Sequence, residues 1–284
     1  MTVGQLYRQV RDMFRDAELD LPALDAKLLV SAALGISISD LMLRGDDPVS
    51  DTNSATAQSH AAKRLAGMPV GRILGEREFY GRRFLMNPAT LEPRPDTEVL
   101  IDAVITLSVP SEELLICDIG TGTGAIAVTL LAEMTRSRTV AVDLSLEALL
   151  CASENAELHE VSDRFLPLCS DYASALEGAK SGVFDWVVSN PPYIRTEDLV
   201  RLSPEVTKHD PVLALDGGES GLEGYVRIIA QAEMLLRSGG RIALEIGFDQ
   251  ADAVEKRLRH HSFGAIEIVK DLSGNDRVLL ACRR

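Results

Sequence analysis

Cysteine and aromatic residues are scarce in this chain of 284 residues. Phe, Trp and Tyr together make up 5% of it, and only four cysteines occur. The cysteines show no CxxC spacing and fall mostly in apolar, strand-like runs, which predicts buried reduced thiols. We therefore expect neither a disulfide framework nor a metal site. The four are Cys117, Cys151, Cys169 and Cys282.

The sequence also lacks an apolar run of membrane-span length. Its amino terminus, MTVGQLYRQVRDMF, carries charges throughout and has no apolar core of signal-peptide length. We expect a cytoplasmic protein that does not contact a membrane.

Positive charge is in short supply. The chain has 43 Asp and Glu residues against 29 Lys and Arg, a formal net charge of -14. An enzyme acting on nucleic acid is expected to present a basic face to the phosphates. This balance argues against a duplex-DNA substrate but leaves room for a local basic patch. With 46% hydrophobic residues, the length suffices for one substantial domain and one small one.

Helical periodicity marks the first part of the chain. From Thr2 to about Gly67 the apolar residues recur at helical spacing, and one face would carry Leu6, Val10, Met13 and Phe14. The pattern predicts a small helical bundle. The segment FYGRRFLM that follows is typical of a β-hairpin turning at its glycine.

From Asp96 onward, strand-like runs alternate with amphipathic helices. This alternation predicts an α/β fold with a mostly parallel sheet and helices on both faces. The last two runs are separated by a short GND-type turn, which predicts an antiparallel hairpin at one edge. Ligands of such sheets bind at the carboxyl ends of the strands. The runs are LLIC, TVAVD, FLPLC, FDWVVS, RIALEI, AIEIV and RVLLAC.

A glycine-rich loop follows the first of these strands and precedes the helix-like segment AIAVTLLAEM. Glycines let a backbone turn tightly and approach a ligand closely. The spacing also fits the fingerprint of a dinucleotide site, so the loop alone does not choose a cofactor. A purely structural turn is the alternative. The loop residues are Gly120, Thr121, Gly122, Thr123 and Gly124.

Three acidic residues favour a nucleoside cofactor, and one of them, Asp118, helps to choose which. Asp143 closes TVAVD, where a carboxylate can accept hydrogen bonds from both ribose hydroxyls of a nucleoside. Asp118 directly precedes the glycines; it would repel a pyrophosphate but suits the ammonium of a methionine moiety. Asp171 and Tyr172 follow FLPLC, where they would hold an adenine amine and its ring face. The alternatives are helix caps or solvated loop acids and, for Tyr172, a core position.

The segment Asn190-Pro191-Pro192-Tyr193 follows the apolar run FDWVVS. The Asn190 side-chain oxygen and the Pro191 carbonyl could accept the two hydrogens of a planar amino group. Prolines fix the backbone and carry no N–H, and Tyr193 offers a flat face. Such a clamp would raise the nucleophilicity of an amide or aryl amine by position and hydrogen bonding. The alternative is a turn that merely ends a strand.

Several motifs together resemble the peptide-chain release factor glutamine methyltransferases, the PrmC or HemK family. NPPY alone is shared with adenine-N6 DNA methyltransferases, but RILGEREF and PRPDTE are not expected there. The resemblance implies a class I S-adenosylmethionine-dependent methyltransferase fold, with a seven-stranded sheet and a small N-terminal helical bundle. The motifs are DIGTGTGAIA at 118–127, VDLSLEAL at 142–149, SNPPYI at 189–194 and ALDGGESGLEGY at 214–225.

The resemblance also implies an activity and a partner. A methyl group would pass from S-adenosylmethionine, leaving S-adenosylhomocysteine, to N5 of the glutamine in a release factor's Gly-Gly-Gln motif. Residues 1–75 would recognise the release factor, residues 76–95 would form a hairpin linker and residues 96–284 the methyltransferase domain. We expect a monomer that takes no nucleic acid as substrate.

The family's residue roles carry over to matching positions. The glycine loop would bind the cofactor and Asp143 its ribose; Asn190 would touch both the methyl end and the substrate amide, with Pro191, Pro192 and Tyr193 completing the clamp. The family commonly has a tryptophan or a similar bulky residue where Tyr172 stands, which weakens the assignment of Tyr172 to the adenine. Arg94 would approach the methionine carboxylate or the substrate entrance; the alternative is a surface ion pair.

The long segment 194–222 follows the clamp directly and is predicted to cover the cofactor and shape the substrate entrance. Its glycines would permit motion, and a disordered insertion is the alternative. Three other functions share part of the pattern. A nucleic-acid amino-methyltransferase shares NPPY, a nicotinamide dehydrogenase shares the glycine loop and Asp143, and a non-catalytic module would bind a translation factor without consuming the cofactor.

Overall fold

The structure is a computed structural model that describes residues 1–109, 111–178 and 182–284. The chain forms two compact units. The first comprises Met1–Glu76 together with Pro204–His209, and the second comprises Arg77–Ser203 together with Asp210–Arg284.

The first unit is helical, as the periodicity predicted. Its first helix begins with a capping box, in which Thr2 and Gln5 exchange side-chain and backbone hydrogen bonds. Leu6, Val10 and Phe14 are buried, but Met13 is 38% exposed and lies off the buried face, which corrects its predicted position. The helices are α1 (Val3–Asp16), α2 (Pro22–Leu34), α3 (Ile38–Leu43), α4 (Asp51–Leu65), α5 (Val70–Leu74) and α9 (Pro204–His209).

A β-hairpin follows α5, at the glycine where the sequence predicted one. Strands β1 (Glu76–Phe79) and β2 (Arg82–Leu85) form a two-stranded sheet. The turn residues Tyr80 and Gly81 have φ angles of 52° and 68°. Two consecutive positive φ values are typical of a tight hairpin turn whose twist matches that of the strands.

The second unit contains a seven-stranded sheet in the order β5-β4-β3-β6-β7-β9-β8. The first five strands of that order run parallel, and β9 pairs antiparallel with both β7 and β8. The predicted class I methyltransferase fold and its antiparallel edge hairpin are confirmed. The strands are β3 (Leu115–Ile119), β4 (Arg138–Asp143), β5 (Phe165–Cys169), β6 (Phe184–Ser189), β7 (Leu236–Glu245), β8 (Phe263–Lys270) and β9 (Asp276–Arg283).

Both faces of this sheet are covered by helices. Successive strand side chains point to opposite faces, so Ile116 and Trp186 join one buried cluster whereas Cys117 and Val187 join the other. Helices α6 (Glu98–Thr106), α7 (Ala125–Glu133) and α8 (Leu146–Leu158) pack in the first cluster; α10 (Glu223–Leu235) and α11 (Ala251–His260) pack in the second. Among the helices in the described ranges, none combines the length and the apolar composition that a membrane span requires.

The four cysteines are free thiols, but they are not all buried. Cys117 and Cys151 are buried, Cys282 is half-buried and Cys169 is exposed. The prediction of burial is therefore wrong for Cys169. The reason is its position at the end of β5, an edge strand whose residue Leu166 is also 47% exposed.

Candidate functional site

One cavity lies at the carboxyl ends of the parallel strands. It is lined by residues that directly follow β3, β4, β5 and β6, which otherwise lie far apart in the sequence. Four of the predicted site residues, Asp118, Gly124, Pro191 and Tyr193, are not among the described residues that line it. Those that do line it are Gly120, Thr121, Gly122, Thr123, Asp143, Asp171, Tyr172, Asn190 and Pro192.

The glycine loop adopts a backbone that other residues rarely adopt. Gly120, Gly122 and Gly124 have φ angles of 77°, 56° and 79°. A Cβ atom added at Gly120 or Gly122 would meet no atom within 4 Å, whereas one at Gly124 would lie 3.1 Å from the Cβ of Ala152. The first two glycines thus leave the cavity side of the loop open to a ligand, and the third lets α7 begin close to α8.

Asp143 connects the glycine loop to the end of β4. Its Oδ2 accepts a hydrogen bond from the Gly122 N–H and its Oδ1 accepts one from the Ser145 N–H, both at 2.9 Å. Burial raises the pKa of this carboxyl, and the backbone donors oppose the rise. Each oxygen can still accept a second hydrogen bond. Asp143 is thereby oriented at the cavity wall with acceptor capacity toward a guest.

Asp118 lies beneath the glycine loop. Its side chain is fully buried, and its Oδ2 accepts a hydrogen bond from the Thr121 hydroxyl at 2.7 Å. Burial raises the pKa of Asp118 to about 7. The side-chain hydrogen bond to this carboxylate comes from the loop itself, and its contact with a cofactor ammonium stays a prediction.

Asp171 and Tyr172 are held together by one arginine. Arg227 donates two hydrogen bonds to Asp171, at 3.0 and 2.6 Å, and its guanidinium carbon lies 4.5 Å from the centre of the Tyr172 ring. Tyr172 also has a φ of 49°, a strained conformation for a residue with a side chain. The ring is therefore fixed at the cavity wall, and Arg227 neutralises the neighbouring acid.

The Asn190 side chain is anchored by two residues that the sequence did not single out. Its Nδ2 lies 3.2 Å from the Thr97 hydroxyl, and that hydroxyl donates to Glu245 Oε2 at 2.6 Å. Glu245 is 1% exposed, and its burial raises its pKa to about 7. With the Asn190 nitrogen occupied, its amide oxygen is the group left to accept a hydrogen bond from a guest in the cavity.

Two of the other clamp residues, Pro191 and Tyr193, are not among the described residues that line the cavity. Pro191 is buried, and the Tyr193 ring packs against the apolar cluster that contains Tyr225. Burial raises the pKa of Tyr193 to about 12. The Tyr193 carbonyl accepts a hydrogen bond from Gln250 Nε2 at 2.9 Å. These contacts fix the backbone of the clamp; a contact between the Tyr193 ring and a substrate stays a prediction.

Part of the segment 194–222 lines the cavity, through Leu213, Ala214 and Asp216. Ile194 pairs with Asp216 in a parallel bridge, which returns the chain to the clamp. A Cβ atom added at Gly217 would lie 2.8 Å from the Pro192 carbonyl oxygen. Glycine at 217 thus permits close packing against the clamp, a reason for it that the sequence did not reveal.

The sequence left Arg94 either at the ligand site or in an ion pair, and in the structure it is in both. It lines the cavity, and its guanidinium donates to Asp210 Oδ2 at 2.8 Å. Asp210 is nearly buried, with a side-chain exposure of 4%. In the parts of the chain that the structure describes, no group of three or more His, Cys, Asp or Glu side chains is placed to hold a metal ion.

Two protein families match the sequence. The PrmC N-terminal domain matches residues 5–75, and the methyltransferase small domain matches residues 95–207. A release factor glutamine methyltransferase of Agrobacterium fabrum is 42% identical over 91% of this chain and 89% of its own length. Another, of Caulobacter vibrioides, is 36% identical over 100% of this chain and 97% of its own length.

Solved structures share the fold at low sequence identity. A methyltransferase from Pyrococcus furiosus is 18% identical with a TM-score of 0.53, covering 81% of this chain and 98% of that one. The T. thermophilus 16S rRNA N2 G1207 methyltransferase, solved with AdoMet and guanosine, is 20% identical with a TM-score of 0.52, covering 74% and 50%. At these identities the likeness concerns the fold alone.

Proposed function

This chain belongs to the family of release factor glutamine methyltransferases, and from that premise we propose that it methylates N5 of the glutamine in the Gly-Gly-Gln motif of peptide-chain release factors. The family makes it an S-adenosylmethionine-dependent methyltransferase that acts on a protein glutamine. The observation that carries the finer proposal is the Asn190 side chain at the cavity, whose nitrogen is bound by Thr97 and whose oxygen is left for a substrate amide.

The cavity residues fit S-adenosylmethionine. The open glycine backbone at Gly120 and Gly122 admits a ligand at close range, and Asp143 is oriented to accept hydrogen bonds from ribose hydroxyls. The fixed Tyr172 ring offers its face to an adenine. The cofactor, when bound, supplies an electrophilic methyl group attached to a sulfonium and leaves as S-adenosylhomocysteine.

Asn190 and Pro191 would act on the methyl acceptor. The nitrogen lone pair of an amide is delocalised into its carbonyl, so the nitrogen is a poor nucleophile until its hydrogens are held in a fixed direction. We assign one of those two hydrogens to the Asn190 Oδ1. We assign the other to the Pro191 carbonyl because of the family resemblance, although Pro191 is buried and is not among the described residues that line the cavity. The nitrogen gains a methyl group and loses one proton to water, because the amide becomes acidic only as the new bond forms. No side chain is assigned as general base.

The rest of the chain would present the release factor to this site. We assign recognition of the release factor to residues 1–75 and the link between the two parts to the hairpin region 76–95. Residues 96–284 would carry the chemistry. The match of residues 5–75 to the PrmC N-terminal domain supports the first assignment.

The direct test is mass spectrometry of an unmodified release factor after incubation with this protein and S-adenosylmethionine. We expect a gain of one CH2 unit, confined to the peptide that contains the Gly-Gly-Gln glutamine. A release factor with Gln→Ala at that position serves as the control and should gain nothing. Labelling of the control, or no labelling of the unmodified factor by a protein that binds the cofactor, would contradict the proposal.

A further inference from the structure

Asn190, Thr97 and Glu245 form a buried chain of hydrogen bonds that ends at the cavity. The Thr97 hydroxyl lies 2.6 Å from Glu245 Oε2 and 3.2 Å from Asn190 Nδ2. Thr97 and Glu245 are 5% and 1% exposed, so water does not compete for these bonds. Glu245 is the last residue of β7, whose Leu244 pairs with Ser189 of β6, so Glu245 and Asn190 leave the sheet side by side.

The number of available protons determines which group donates and which accepts in each of these hydrogen bonds. An ionised Glu245 can only accept, so the single hydroxyl proton of Thr97 is directed to it. The Thr97 oxygen can then only accept from Asn190, and the asparagine must turn its NH2 group toward Thr97. Asparagine O and N atoms are nearly identical in size, so shape alone would not select this orientation.

We propose that Thr97 and Glu245 are positioning residues that hold the Asn190 amide with its oxygen, rather than its NH2 group, toward the methyl acceptor. This inference rests on the proposed function only for the identity of the acceptor. An inverted Asn190 would offer a donor to an amide NH2, which is also a donor. The methyl acceptor would then lose one of its two hydrogen-bond acceptors.

The orientation depends on the charge of Glu245. Burial raises the pKa of Glu245 to about 7 and Asp96 adds to the rise, whereas the Thr97 hydrogen bond and the charge of Arg277 oppose it. Arg277 is itself paired with Asp271 and Asp96. Two phenols also lie beside Glu245, those of Tyr193 and Tyr225; their pKa values are raised, so they stay neutral below about pH 9.

Protonation of Glu245 would reverse the direction of these hydrogen bonds. A neutral Glu245 carboxyl can donate to the Thr97 oxygen, which frees the Thr97 proton to bond the Asn190 oxygen and turn it away from the cavity. Turnover is therefore expected to fall as the pH drops below about 7, the value to which burial raises the pKa of Glu245. Cofactor affinity should change little over the same range.

The kinetic test compares Thr97→Val, which keeps the shape but loses the hydroxyl, with Thr97→Ser, which keeps the hydroxyl. We expect kcat to fall about ten-fold or more in Thr97→Val, with the cofactor Kd unchanged, and to return to within about three-fold of wild type in Thr97→Ser. The control is Thr139→Val, because the Thr139 hydroxyl is buried without a hydrogen-bond partner among the described residues. Wild-type kcat in Thr97→Val overturns the proposal.

A second readout needs no methyl acceptor. The side-chain NH2 signals of Asn190 in a 15N-labelled protein, assigned by their loss in Asn190→Ala, should shift with pH near 7 in the wild type. In Glu245→Gln they should not. Signals that ignore pH in the wild type overturn the positioning role even if the release factor is methylated. A pH-dependent shift in a protein that fails to methylate a release factor would instead overturn the proposed function and leave the positioning role standing.

Discussion

At the scale of single residues, Asn190 uses both ends of one side-chain amide. Its nitrogen donates to Thr97 and the residue lines the cavity, where we assign its oxygen to the substrate amide. Asn190→Ala removes both contacts, so we expect turnover to fall by about ten-fold or more, as for the loss of one preorganised hydrogen-bond partner. Cofactor affinity, measured by calorimetry, should remain within about three-fold of wild type. Full turnover in this variant would refute the clamp mechanism.

Asn190→Asp separates the accepting role of the side-chain oxygen from the donating role of the side-chain nitrogen. Its carboxylate can still accept hydrogen bonds from the substrate amide, but it cannot donate to Thr97 and it adds a second acid beside Glu245. We expect its turnover to be as low as that of Asn190→Ala at neutral pH. If the aspartate variant were as active as the wild type, the donor side of Asn190 would be irrelevant.

The raised pKa of Asp118 predicts how the stability of the protein varies with pH. Burial raises its pKa in the folded protein to about 7, whereas an unfolded aspartate titrates near 4, roughly. Between these values the folded state binds a proton that the unfolded state has released. The stabilising contribution is therefore complete below about pH 4 and is lost as the pH rises to about 7.

Asp118→Asn should weaken this dependence. An asparagine keeps an oxygen for the Thr121 hydroxyl but has no charge to bury. The free energy of unfolding, measured in urea from pH 5 to pH 8, should decline less with pH in the variant than in the wild type. Glu245 titrates in the same direction, so part of the slope should remain. Identical slopes would mean that Asp118 does not titrate in this range.

The sequence pointed to polar side chains that lie at or just after the end of an apolar run. Asp143, Asp171 and Asn190 were chosen in this way, and the structure places all three along one cavity, while their contacts with a ligand stay predictions. Glu245 also ends an apolar run, since it is the last residue of β7, and Thr97 lies in the PRPDTE motif, but the sequence assigned neither side chain a role. Their hydrogen bond joins residues 148 positions apart, a pairing that no local pattern encodes.

At the scale of elements, the glycine loop combines two different demands on glycine. Gly120 and Gly122 leave open space toward the cavity, whereas Gly124 lies against Ala152 at the start of α7. We expect Gly124→Ala to destabilise the protein and weaken cofactor binding, because the new methyl group must push α7 away from α8. Urea unfolding and calorimetry measure the two effects.

Gly239→Ala is the matched control for that variant. Its φ of 78° equals that of Gly124 within a degree, but a Cβ there would meet no atom within 4 Å. It should lose about 1 kcal/mol from backbone strain alone and bind the cofactor as the wild type does. Equal losses in the two variants would show that strain, and not the contact with Ala152, determines the effect.

The strands and their order along the sequence were predictable, but the solvent exposure of every strand residue was not. All seven predicted runs fall on strands of the one sheet, although β7 begins five residues before its predicted run, at Leu236. Which strand lies at the edge depends on the spatial order, and the exposure of Cys169 at the end of edge strand β5 follows from that order. Local patterns do not carry this information.

At the scale of the whole molecule, the net charge favours a protein substrate over a nucleic acid. Similarity of fold does not make that choice. The same fold occurs in an rRNA methyltransferase, at an identity too low to indicate a shared substrate. The net charge here is -14. Arg94 at the cavity and Arg227 over Tyr172 are each bound to a carboxylate, so neither presents an uncompensated positive charge to a phosphate.

We therefore expect methyl label from S-adenosylmethionine to enter a release factor and not nucleic acid. A mixture of unmodified release factor, ribosomal RNA and duplex DNA offers all three acceptors at once, and low salt gives phosphate binding its best chance. Any weak labelling of RNA or DNA at low salt should vanish as salt rises, while labelling of the protein persists. Nucleic-acid labelling that survives high salt would mean that the clamp receives a base, because only a specific contact with the cavity, and not attraction between charges, resists screening.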